Sequence, residues 1–589
     1  MNIEPLEARI APASVFVTYS DIDGDLVKIT ASKPGAGVPP LDLADLAFVG
    51  GGAAGQLATL DLTDPGFEGA KIVFTVTKKP GGDGLAHGGF INAFDRSLDQ
   101  VIVKGDLGKI IVGDSATTDD IDLKLLSVRS LGALGLFTGA PDLGSVVYGQ
   151  LGALKAAGDF TDATLGVNGT IGSVFIGGNL TGSGTFTGRI SSADGIGSVR
   201  IVGSLIGGGG DDSGQIACNG ILGSVQIGRD LMGGAGARSG RIDIGTSIGP
   251  VKIGGDFAGG GGVDSGSMRS AGALGAVQIG GNMIGGSGDT SCRILSSGTT
   301  ASLAIRGSLI GSVGEISANL SSVGFLGAVT IGGSLVGGSA SYSGYINGTV
   351  GIGSVKIGGD LRGGSVSGSD SAYATGMILS LNGRIGSVTI GGSLIAGTDA
   401  SSGALGSSGA IVAQYDLGPV KIGGSIVGNS TNPALILAGR QAVKPTTGFD
   451  TAIASLTVGG DVRFARILAG FSFGEMPVDA DASIGAVSVG RNWVASSLVA
   501  GAQDTGADGF GINDALQTAG NTGLIARIAS IAIKGSVTGS LAGADHFGFV
   551  AQQIGSFKAS GFTAPLLAAT ANQTIAIPFT DDVRLLEVS

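Results

Sequence analysis

Charge is scarce in this chain, and so are aromatic rings, histidine and cysteine. Of its 589 residues only 14% are charged and 5% aromatic, with 2 His, 2 Cys and 1 Trp. The histidines, His87 and His546, stand in different regions. That separation leaves a zinc site of ordinary ligand number and a Ser-His-Asp arrangement without support. Cys218 and Cys292 fall in different phases of the repeat described below. At about 4.8 Å per layer and roughly three layers apart they cannot pair, and the redox compartment stays open. No run of about 18 apolar residues occurs, so no transmembrane helix is expected. The opening residues lack a basic segment followed by an apolar one, so no standard secretory signal is expected either. Acids outnumber bases, for a net charge of −12, which argues against nucleic acid and anionic membranes as main partners.

What is abundant is glycine, 115 residues. The share is far below collagen's one-third and shows no Gly-X-Y period. With 43% hydrophobic residues and only 15 prolines, a solvated disordered chain is excluded as well.

The glycines belong to a repeat. The phrase Ile171-Gly-Ser-Val-Phe-Ile-Gly-Gly-Asn-Leu180 returns from Ile196, Leu222, Ile248, Leu274, Thr300, Leu326 and Ile352, at intervals of 25 and then 26 residues. Later copies start at Ile385, Leu417, Ile453, Ile484, Ile528 and Ile554, at intervals of 33, 32, 36, 31, 44 and 26. Stacked coils whose loops grow by insertion produce this pattern.

Within each phrase, Val174-Phe175-Ile176, Val251-Lys252-Ile253 and Val355-Lys356-Ile357 alternate with period two, the mark of a short strand with one buried face. The following glycines are expected to turn a corner, with positive φ where needed, before Leu180, Phe257 or Leu361 points inward again. A further strand is expected at Ser239-Gly240-Arg241-Ile242 and Ser343-Gly344-Tyr345-Ile346. Repeated Gly-Gly disfavours a helix. Leucine-rich and hexapeptide signatures are absent. The expected fold is therefore all-β, a single-stranded parallel β-helix with a coil of about 26 residues. The usual hand of parallel crossovers predicts right-handedness. Apolar columns such as Val225, Val251, Val277 and Ile227, Ile253, Ile279 would then stack.

Four regions follow. Residues 1–95 read as a β-rich cap, with a hairpin of Ala13–Ser20 and Leu26–Thr30 around Asp21-Ile22-Asp23-Gly24-Asp25. Residues 96–433 read as the regular β-helix, 434–561 as its continuation with long insertions, and 562–589 as a second cap.

Two passages resemble known proteins. Pro5-Leu6-Glu7-Ala8-Arg9 is similar to the Leu-Glu-Pro-Arg-type signature that opens many large bacterial surface and exported proteins, with Ala8 where that signature has proline. The array of Gly-Ser-Val-x-Ile-Gly-Gly-Asp/Ser-Leu phrases, over roughly residues 100–560, resembles glycine-rich repeat proteins of bacterial envelopes. The resemblance implies a cell-surface or extracellular location and names no activity.

Candidate chemistry is thin, and most of it has a plain structural alternative. Asp21-Ile-Asp-Gly-Asp25 reads first as a turn and second as a calcium loop, since its order departs from the EF-hand. Gly285-Gly-Ser-Gly-Asp289 departs likewise from the nonapeptide calcium repeats. A small polar column runs Asn179, Ser204, Asp230, Asp256, Asn282, Ser308, Ser334, Asp360, Ser393, Ser425, Asp461, Asn492 and Ser536. Adjacent acids such as Asp230 and Asp256 could form a glycosidase pair. A turn capping its own N–H groups explains the column better. The outward column Arg200, Gln226, Lys252, Gln278, Thr330, Lys356 and Lys421 reads as solvated surface, and Trp493 as core.

The strongest ligand candidates are six acids in the late insertions. Glu475, Asp479 and Asp481 lie in one insertion, and Asp504, Asp508 and Asp514 in the next. If the two loops converge, these carboxylates suit calcium. No catalytic constellation emerges. The expected function is a non-enzymatic, cell-surface or extracellular structural or adhesive rod, with surface polysaccharide, other envelope proteins or its own copies as partners. A polysaccharide lyase or glycosidase on the same scaffold, or a cytoplasmic scaffold, is the alternative.

Overall fold

The computed structural model describes residues 13–33, 37–114, 120–540, 545–567, 572–578 and 580–589; the Pro5–Arg9 motif lies outside them. The structure is a parallel β-helix. Its contacts divide into two units, Met1–Gly254 and Gly255–Ser589. Among the described residues, no helix is long and apolar enough to cross a membrane.

The first unit opens with the expected hairpin: Ala13–Ser20 pairs antiparallel with Leu26–Lys33. Leu26–Lys33 pairs antiparallel with Ala70–Thr77, which pairs parallel with Leu98–Gly113. Leu57–Asp61 also pairs parallel with Gly88–Phe94. Parallel stacking thus begins well ahead of residue 96, within the span read as a cap. A regular coil then has three short strands, for example Ile171–Ile176, Leu180–Thr181 and Arg189–Ser192. These stack on Ile196–Ile201, Leu205–Ile206 and Gln215–Cys218 of the next coil.

In the second unit every repeat start sits above its predecessor: Leu274 on Thr300, then Leu326, Ile352, Ile385, Leu417, Ile453, Ile484, Ile528 and Ile554. The insertions lengthen the coil without shifting this register. Val277 and Ile279 continue through Leu303 and Ile305, Val329 and Ile331, and Val355 and Ile357, all buried. Trp493 is fully buried in the Leu-type column, its indole N–H donating to the Ser496 carbonyl. Both cysteines are buried and free. Near the end, Val583–Glu587 adds a parallel strand to Phe547–Ala551. The buried Glu587 carboxylate accepts the Ile554 N–H and the Gln573 amide.

The polar column works differently from a set of self-capping turns. Each side-chain oxygen accepts the backbone N–H of the equivalent residue one coil later. In the second unit Asp256 accepts from Asn282, Asn282 from Ser308, Ser308 from Ser334, and Ser334 from Asp360, at 2.6–3.0 Å. The chain of acceptors runs on through Ser393, Ser425, Asp461 and Asn492 to Ser536. In the first unit it links Asp159, Asn179, Ser204 and Asp230.

The paired glycines are likewise explained by contact and not by positive φ. Gly332 and Gly333 are absent from the left-handed region. A Cβ on Gly332 would lie 2.1 Å from the Arg306 carbonyl oxygen, and one on Gly333 would lie 2.3 Å from Ser308 Oγ. Glycine is required because the previous coil occupies the space of a side chain.

Positive φ appears instead at the second corner, beside a buried serine. Asp264, Thr290, Ile316 and Tyr342, one per coil, have φ of 56°. Ser265, Ser291, Ser317 and Ser343 follow them, fully buried, and accept the N–H of Gly260, Gly286, Ser312 and Gly338 at 2.9–3.0 Å. These buried hydroxyls hold a backbone that costs about 1–2 kcal/mol per non-glycine residue. The strands expected from Ser239 and Ser343 accordingly start two residues later, as Arg241–Ile244 and Tyr345–Gly348.

Two outcomes test this packing. Ile279→Asp places a carboxylate without a partner in the stacked column and should cost several kcal/mol, so the variant should melt well below the parent. Gly333→Ala should cost about 1–3 kcal/mol through the clash with Ser308. Ser308→Ala in the same chain should then cost less than it does alone, measured as a double-mutant cycle of chemical denaturation.

Candidate functional site

The late insertions of the second unit fold down onto the sheet beneath them. In the early coils the third strand alternates, as in Arg293–Ser296. It is buried on both faces in Asn319–Ser322 and again in Met377–Ser380, Ala410–Ala413, Ala434–Ala438 and Ser497–Ala500, while Ala465–Ala469 leaves Arg466 exposed. The outward residues Leu379, Val412, Leu437, Leu468 and Val499 form one apolar layer, which Phe471 and Phe510 from the insertions cover. The two rings meet edge to face at 6.4 Å between centroids. The uninterrupted apolar runs Met377-Ile-Leu and Ala410-Ile-Val-Ala carry the sequence signal for a sheet covered on both sides.

The six insertion acids separate into three groups. Asp479 and Asp481 are buried, and one ammonium serves both: Lys444 Nζ lies 2.8 Å from Asp479 Oδ1 and 2.8 Å from Asp481 Oδ2. Lys444 also donates to the Gly520 carbonyl. Asp481 Oδ2 accepts from the Thr522 N–H at 2.8 Å and hydroxyl at 2.5 Å. Three successive insertions, before Ile453, Ile484 and Ile528, therefore share one cation. Burial and these partners act in opposite directions on Asp481; the net effect holds its carboxyl below the usual range. Glu475 pairs with Arg466 at 2.8 Å.

Asp504, Asp508 and Asp514 do gather, around the hairpin of Ala502–Asp504 and Asp514–Leu516, in which Asp504 faces Asp514. Asp504 accepts the N–H of Gly506 and of Gly509, both at 3.0 Å, and Asp514 accepts that of Gly511 at 2.6 Å. Asp508 Oδ1, Asp514 Oδ1 and His546 Nδ1 are buried and lack a hydrogen-bond partner. Burial, reinforced by the charges of Asp504 and Asp508, pushes the Asp514 carboxyl up to about 7.

The expectation that the six converge as one calcium shell is corrected by this sorting: Asp479 and Asp481 share Lys444, and Glu475 pairs with Arg466. Among the described residues, one acidic trio brings its oxygens within 4.8 Å of one another, Asp21, Asp23 and Asp25. There Asp25 is fully buried and accepts the Lys79 and Gly84 N–H groups at 2.6 Å, while Asp23 accepts from Asp83. These carboxylates tie the hairpin turn to the loop at residues 79–84.

The outward column Arg200, Lys252, Gln278, Thr330, Lys356 and Lys421 is exposed, with Gln226 half-buried. His87 Nδ1 accepts the Asp106 N–H.

Between the insertions lies a cleft of about 1120 Å³. Leu468, Phe471 and Phe510 line it, together with half-buried Phe464 and Phe547. Arg466, Glu475, Asp504, Asp508, Asp545 and His546 supply its charged and titratable groups. Sequence reasoning identified Glu475, Asp504 and Asp508; Asp545, Lys444, the place of His546 and the aromatic walls required the fold. No protein-family model, curated protein or solved structure matches the chain.

Lys444→Met should destabilise the second unit by about 3–5 kcal/mol, because it leaves Asp479 and Asp481 buried without a counter-charge; calorimetric melting reads the loss. Asp514 sets a pH dependence of the opposite sign to an ordinary carboxylate. Its folded pKa of about 7 exceeds the ordinary 3.8, so its contribution is greatest in acid and is lost as pH rises between those values. Asp514→Asn should remove that slope, and proteolytic cutting within residues 504–514 should then become less dependent on pH.

Proposed function

We propose that the chain is a non-enzymatic, cell-surface or extracellular β-helix, a structural and adhesive rod that meets its partner at the insertion cleft. The observation that carries this reading is how the cleft is built. Glu475 pairs with Arg466 and Asp504 accepts two backbone N–H groups, so these two acids fix the shape of the walls, beside strands buried on both faces. Such a scaffold holds a recognition surface steady. The resemblance of the repeats to envelope proteins supports the location, and surface polysaccharide or other envelope proteins are the proposed partners.

Calcium belongs to this proposal only at Asp504, Asp508 and Asp514, which no lysine or arginine among the described residues neutralises. Calcium heat that disappears in Asp504→Asn with Asp508→Asn supports it; a flat titration removes the ion.

One observation favours a second reading, a carbohydrate-active enzyme. Burial and the charges of Asp504 and Asp508, both in the cleft lining, push the Asp514 carboxyl up to about 7, an electrostatic setting shared with general acids of glycoside cleavage. A panel of polysaccharides, followed for reducing ends and unsaturated products, separates the two readings. The adhesive reading expects retention on at least one polysaccharide with no product. Release of product that Asp514→Asn abolishes establishes the enzyme instead. Fractionation of native cells, with protease added outside, should find the chain exposed; protection inside the cytoplasm overturns the surface location.

A further inference from the structure

The cleft is larger than the roughly 300–1,000 Å³ that houses one small ligand, and its walls specify what could fill it. Its apolar part includes the half-buried rings of Phe464 and Phe547, which offer flat carbon surface. Its polar part offers acceptors. Asp508 and His546 both line it, with the Asp508 Oδ1 atom packed against Gly506 and shielded from solvent. The two residues are locked together, because the His546 N–H donates to the Asp508 carbonyl at 3.1 Å and Gly509 bridges to His546.

The charge balance narrows the occupant further. Arg466 is matched by Glu475 at 2.8 Å. Asp504, Asp508 and Asp545 then leave the lining acidic, with no further lysine or arginine among its described residues. An anionic ligand is therefore repelled, and a cationic one is favoured. An extended peptide would need an open strand edge. The strand Ala465–Ala469 along the floor is paired on both sides, to Ala434–Ala438 and to Ser497–Ala500.

We infer that this cleft binds a short oligosaccharide carrying free amino groups: Phe464 and Phe547 receive the carbon faces of its rings, and Asp508 and Asp545 receive its ammonium and hydroxyl donors. The inference rests on the adhesive reading of the cleft and gives it a ligand class.

Calorimetric titration of the full chain at pH 7, in chelator and low salt, tests it with three tetramers: glucosamine, N-acetylglucosamine and galacturonate. The glucosamine tetramer should bind at least tenfold more tightly than its acetylated counterpart, and the galacturonate tetramer should give no heat. Asp508→Asn, close in shape to the parent, should weaken glucosamine binding about tenfold, as expected for one lost charge-assisted contact, and change the acetylated ligand less than threefold. Asp545→Asn, on an exposed position, provides a second variant whose folding is not at risk. Equal affinity for the charged and acetylated tetramers overturns the inference. So does tetralysine binding as tightly as the glucosamine tetramer, or no heat with any sugar. Those results leave the surface location standing, whereas a cytoplasmic location overturns the earlier reading and leaves sugar binding intact.

Discussion

Parallel coils stack through backbone hydrogen bonds, which fixes adjacent chains about 4.8 Å apart wherever a ladder runs. At the corner after each long strand, that separation brings the backbone of one coil against the polar side chain of the coil before it. Ser308 Oγ stands where a Cβ of Gly333 would be, and Asn282 Oδ1 where that of Gly307 would be. The glycine and the polar residue are two halves of one contact. The small side chain can reach the next N–H only because its neighbour has no side chain at all.

The long strand of each coil was legible because its signal is local. Alternation around Val and Ile, repeated at 26 residues, places one face inward whatever the other coils do, and the repeat starts stack in register even where insertions separate them. The corner glycines carried the same signal but for a different reason from the one local chemistry suggests. Gly333 looks like a residue chosen for its own dihedral angles, yet what constrains it is an atom 25 residues earlier. The buried serines at the other corner were missed for a related reason: Ser291 and Ser317 lie in polar, glycine-rich text that reads as an exposed loop.

The insertions show where sequence stops specifying the site. Acids within one loop can be seen to be close along the chain, but their partners cannot. Lys444 lies 35 residues before Asp479 in the sequence, within another insertion, and nothing in its neighbourhood marks it as buried. Stacking makes the two neighbours, since equivalent positions of successive coils lie side by side. The same geometry sets Phe471 against Phe510 and closes the walls of the cleft. A repeat architecture thus converts loops remote in sequence into a single surface, while the layers beneath stay regular.

The ladder of Asp, Asn and Ser has a further property: it points one way. Every acceptor lies on the earlier coil and every donor on the later one. A completed coil presents its oxygens only toward the residues that follow it, so it serves as a template for the next coil and not for the previous one. A ribosome delivers a chain in that same order. The second unit can therefore assemble vectorially, each turn docking on a finished surface as it emerges. The edge most exposed to aberrant pairing is then always the newest, and its natural partner is the next segment to be made.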